Sequence, residues 1–66
     1  MSTLADALPA EQERVRELLI TYESLGPVGS FGAAMLRQTL ARADQAVMSG
    51  DVIAMLRAYE ELKGCQ

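Results

Sequence analysis

Sixty-six residues, half of them apolar, with nine acids against six bases for a net charge of −3, describe one small acidic globular domain rather than a disordered chain. The acidic balance disfavours nucleic acid, whose binding is driven by neutralising phosphates. The absence of histidine, with a single cysteine, rules out an intrachain disulfide, a zinc site and histidine-based catalysis.

The first predicted helix runs from Leu8 to Leu25, helical from about residue 9. Pro9 reads as a first-turn proline, since its missing N–H would have no partner there. Glu11 and Glu13 suit the positive end of the helix dipole. Val15, Leu18, Leu19, Tyr22 and Leu25 recur at three- and four-residue steps and form an apolar stripe. Gly26 is expected as a left-handed cap and Pro27 as a stop. Residues 1–7 are expected to fray or to add a short turn.

Gly26-Pro27-Val28-Gly29 reads as a turn, with Ser30 as the N-cap of a second helix over about 31–48. Ala33, Leu36, Leu40, Ala43 and Val47 line its main face, and Met35, Thr39, Arg42 and Ala46 a neighbouring one. Gly32 weakens the first turn relative to alanine and suggests close approach of another backbone. Five alanines let this helix pack against more than one neighbour.

Ser49-Gly50 is a minimal turn, and Asp51 is a strong N-cap for a third helix over about 52–63. Val52, Met55, Leu56, Tyr59 and Leu62 form its stripe, with Gly64 as the C-cap and Lys63 complementing the dipole. The short connection makes the second and third helices antiparallel neighbours. The expected fold is therefore all-α: two to three antiparallel helices built around an αα-hairpin, in one domain spanning 1–66. A domain this small buries only about 60% of its unfolded surface, so further support is expected from assembly as a homodimer.

Catalytic patterns are missing. Cys65 has no histidine partner, Glu60 and Glu61 point about 100° apart on a helix, and the glycines at 26, 29 and 32 follow no strand and precede no lysine. An enzyme is not expected, nor is any cofactor. No apolar run reaches the ~20 residues of a membrane span, and the first residues carry neither the basic nor the apolar region of a secretory signal. With a lone thiol, this points to the cytoplasm.

The residues that ask for a binding explanation are apolar ones lying off the stripes. Ile20 lies about 140° around the first helix from Val15, and Ile53 about 100° from Val52 on the third. Phe31 and Met35 lie off the main stripe of the second. These four form the expected protein interface, with Tyr22 or Tyr59 at its edge. The blander reading makes both tyrosines core-edge residues with wet hydroxyls, and makes Met48 and Met55 core filler.

Ser49 to Leu62, with Gly-Asp before a helix of small and aromatic residues, resembles the turn and first helix of a tetratricopeptide-type repeat, which implies tight hairpin packing. Leu25-Gly26-Pro27, Ser30-Phe31-Gly32-Ala33-Ala34-Met35 and Ala58-Tyr59-Glu60-Glu61-Leu62-Lys63 resemble small helical proteins of unknown function encoded by bacteriophages and prophages. That resemblance implies a phage accessory protein that binds and inhibits or modulates a host protein or a defence system. Two alternatives stand beside it. One is a small DNA-associated regulator using Gln38, Thr39 and Arg42. The other is a ligand-sequestering protein with a pocket at a subunit interface.

Overall fold

The computed structural model describes residues 3–66. Among them are three α-helices, α1 (Leu4–Ser24), α2 (Ser30–Ser49) and α3 (Val52–Lys63), with a single 3-10 turn, Gly26–Gly29, between the first two. No strand is present among the described residues.

α1 begins a full turn earlier than Pro9 suggests. Thr3 is its N-cap: the hydroxyl oxygen accepts from the Asp6 N–H at 3.3 Å, and the hydroxyl donates to the Asp6 carboxylate at 3.1 Å. This cap satisfies an otherwise orphaned first-turn donor. Leu4 and Leu8, one turn apart, then extend the apolar stripe, and Leu8 is wholly buried. Pro9 consequently lies inside the helix. It leaves the Ala5 carbonyl without its helical donor, but both residues are exposed and water can serve instead.

At the far end Leu25 caps α1, and Gly26 takes the left-handed conformation, φ +67°, as its position predicted. The chain does not relax into an open turn. It passes through the 3-10 turn straight into α2, so Ser30 is already helical and is not the N-cap. Gly29 holds that place, and the Ser30 hydroxyl donates to the Pro27 carbonyl at 3.1 Å. α2 ends on Gly50, φ +71°, and Asp51 caps α3 as expected, its Oδ1 accepting from Ile53 N–H at 3.0 Å and Ala54 N–H at 3.3 Å.

Polar bonds between the helices mark their directions. Gln12 Nε2 donates to Asp44 at 2.8 Å, Arg16 reaches the same carboxylate oxygen at 3.2 Å, and Arg37 meets Glu23 at 2.6 Å, so α1 and α2 run antiparallel. Arg42 meets Glu61 at 2.7 Å across the equally antiparallel α2–α3 pair. α1 and α3 therefore run parallel and close a three-helix bundle. Arg14 fastens that seam by donating to the carbonyls of Leu62 at 2.7 Å and Cys65 at 3.1 Å; the Leu62 carbonyl also accepts from the Cys65 N–H at 3.0 Å.

The core comprises Leu8, Val15, Leu36, Leu40, Ala43, Ala46, Ala58 and Leu62. Gln12, on the same stripe, is also buried, and its bond to Asp44 offsets the cost of removing its amide from water. Two expected core faces shift. On α2, Val47 is exposed while Ala46 and Thr39 are buried, because this helix serves partners on two sides and its buried arc turns toward α3. On α3, Val52 and Leu56 face outward, and the buried side runs through Ala58 and Leu62, flanked by Ala54 and Met55. Alanines permit closer approach of helix axes than Val or Leu would, so the small side of α3 faces α2.

Candidate interaction surfaces

Between Ser24 and Leu36 the chain carries no charged side chain, although 23% of the residues overall are charged. This stretch folds into the α1–α2 corner. Leu25, Val28, Phe31 and Met35 follow one another there at three- and four-residue steps, and all four are exposed. Val28 is 89% and Phe31 78% exposed. Single exposed apolar residues are ordinary, but four within one charge-free stretch of the chain are not.

The corner is uncovered because the helices differ in length. α2 has 20 residues and α3 has 12, a difference of about 12 Å at 1.5 Å per residue. The Arg42–Glu61 bond sets the register, so the last turn of α3 lies near the middle of α2. The first turns of α2, bearing Phe31 and Met35, extend beyond it. The corner is nonetheless firmly built. The Tyr22 ring lies against Gly32, where any side chain would collide with it, and the Tyr22 hydroxyl donates to the Gln66 carbonyl. Gly29 is buried against the Tyr22 carbonyl in the same manner. Gly32 thus admits an aromatic ring rather than the backbone its position suggested.

A second apolar surface lies on the outer side of α3. Val52, Ile53 and Leu56 are exposed. Tyr59 continues the strip one turn on, half-buried, with Lys63 Nζ 5.3 Å from its ring centroid, close enough for a cation–π contact.

The six residues singled out in the sequence therefore do not share one face. Phe31 and Met35 stand on successive turns at the corner, with Tyr22 packed at its base. Ile53 opens α3 at the opposite end of the α2–α3 hairpin, on the strip that Tyr59 extends. Ile20 is exposed on α1 away from both. Leu25 was assigned by its spacing to the buried stripe of α1, but it lies at the helix end and is exposed, while Val28 was overlooked because turn chemistry drew attention to its glycine and proline neighbours. Val52 and Leu56 were overlooked because their spacing assigned them to the core. The signal that could have found the corner is its charge-free run.

Between α2 and α3 lies an open furrow of about 370 Å³, with Ala46, Ala54 and Ala58 in its floor and Arg42, Gln45, Ser49, Arg57 and Glu61 around it. Arg42 is held by Glu61, whereas Arg57 has no ion-pair partner among the described residues. Cys65 is partly buried and lies 3.5 Å from the Glu61 carbonyl, within reach of an S–H donor bond. Among the described residues no three His, Cys, Asp or Glu side chains are grouped to hold a metal ion, and no helix is long and apolar enough to cross a membrane.

No protein family, curated protein or solved structure matches this chain.

Proposed function

We propose that this chain is a non-catalytic protein-binding module that presents the α1–α2 corner to a partner protein and itself self-associates as a homodimer. The observation that carries the reading is the corner: four exposed apolar side chains in a charge-free stretch, held on a braced helix junction. Interfaces are distinguished by a core depleted of charge and enriched in aromatic residues and methionine, and Phe31 with Met35 supplies that composition. Tyr22 and the two glycines hold the corner in shape before binding, which lowers the ordering cost of association. The resemblance of this region to small phage-encoded proteins supports a host protein in the bacterial cytoplasm as the partner, whose activity the module would inhibit or modulate.

The test is a photoreactive phenylalanine analogue placed at Phe31, with the same analogue at exposed Glu13 as the control, in bacterial cells expressing the chain. A discrete crosslink to one heterologous protein from position 31 and not from position 13 is expected. The purified partner should then lose about thirtyfold in affinity on Phe31→Ala, as for a central hot spot. Equal crosslinking from both positions, or unchanged affinity of Phe31→Ala, rules out the corner as the binding face.

A further inference from the structure

α3 is the helix least accounted for by the bundle. Its first five residues, Val52-Ile53-Ala54-Met55-Leu56, are apolar on every side, and a helix apolar all round belongs in an interior. The bundle covers one side only. Ala54 and Met55 turn partly inward, while Val52, Ile53 and Leu56 remain 60%, 63% and 49% exposed.

We propose that a second copy of this chain covers that strip, the two α3 helices pairing antiparallel about a two-fold axis beside Leu56. The proposal rests on the self-association reading above and adds to it the face and the register. With Leu56 at the axis, Val52 of each copy lies level with Tyr59 and Glu60 of the other, and apolar side chains meet along the strip. Charge selects this direction. Glu60 falls level with the first turn of the partner helix, where the dipole is positive. Lys63 falls level with the partner's turn, where Asp51 uses one carboxylate oxygen to cap Ile53 and Ala54. A parallel pairing would instead set Glu60 against Glu60 and Lys63 against Lys63. The corner lacks such a device: with no charge from Ser24 to Leu36, nothing there fixes a two-fold register, and it stays free for a different partner.

A contact centred on one 12-residue helix is small, roughly 1,000 Å² in total, near the floor for a specific interface. A contact of that size marks a weak, reversible dimer whose population follows concentration.

Two measurements on the full chain test this. Light scattering coupled to size exclusion over a ~100-fold concentration range reads the mass. Cysteine crosslinking then reads the face, with Leu56→Cys and, as the control, Glu13→Cys, both in a Cys65→Ser background and treated with a short bis-maleimide. A dimer whose Leu56→Cys form crosslinks efficiently while Glu13→Cys does not is the expected result. Leu56→Glu should raise the dissociation constant about a hundredfold with helicity retained. If that variant unfolds, crosslinking of Leu56→Cys still decides. A monomer at every concentration overturns self-association and the pairing together. A dimer in which Leu56→Cys crosslinks no better than Glu13→Cys leaves self-association standing and overturns the α3 pairing.

Discussion

Replacing Gly32 by alanine separates two physical arguments that disagree in sign. Helix propensity alone favours alanine over glycine in α2 by about 1 kcal/mol. The structure opposes it, because the new methyl group would collide with the Tyr22 ring. The ring must shift, which strains or removes the hydroxyl's bond to the Gln66 carbonyl, worth about 1 kcal/mol. Overpacking adds about 1–3 kcal/mol. The net expectation for Gly32→Ala is destabilisation by about 1–3 kcal/mol. In a Tyr22→Ala background the obstacle is gone, and the same substitution should stabilise by up to about 1 kcal/mol. A double-mutant cycle followed by circular dichroism during urea unfolding measures both values, at one fixed protein concentration so that association does not intrude. Stabilisation of the parent chain, or the same effect in both backgrounds, would refute the packing of Tyr22 on Gly32.

Two further predictions concern α1. Leu8→Ala empties a wholly buried position and should cost about 3 kcal/mol, lowering Tm by about 15 °C in a domain this small, as read by thermal unfolding. A change of only a few degrees would mean that α1 does not extend through Leu8 onto the core. Pro9→Ala should stabilise by about 1–2 kcal/mol, because an exposed proline inside a helix removes a bond that alanine restores, less the conformational freedom regained by the unfolded chain. Were Pro9 in the first turn, the substitution would be neutral in the same denaturation assay.

Strong local chemistry was legible in the sequence. Asp51 after Ser49-Gly50 sets the α2–α3 junction, and Gly26 ends α1, because caps and left-handed glycines act through neighbouring backbone groups alone. The start of α1 was misread for the same reason that usually helps. A proline near a helix start is a good signal, but here the Thr3 cap and the Leu4–Leu8 pair outweigh it. The core face of α3 was misread because a stripe drawn through large residues assumes that size decides which side is buried. Close packing against α2 is instead made by alanines, and this turns Val52 and Leu56 outward. Helix exposure at the corner depends on where α3 ends relative to α2. That is a fact of register between distant segments, which periodicity within one segment does not contain. The expected interface residues are exposed where they were expected to be, with Tyr22 and Tyr59 half-buried, but they are distributed over separate faces of the bundle.

The parallel seam between α1 and α3 bears on the order in which the chain folds. Each hairpin, α1 with α2 and α2 with α3, joins neighbours in sequence. The bonds from Arg14 and Tyr22 to the final carbonyls span between 44 and 51 residues. Closing the longer loop costs more chain entropy and is repaid last. The seam is therefore expected to be the last part of the bundle to zip and the first to open, and Tyr22, which braces the corner, is held at that closing end. Amide exchange in the final turn of α3 should therefore report the opening of the corner before any global unfolding.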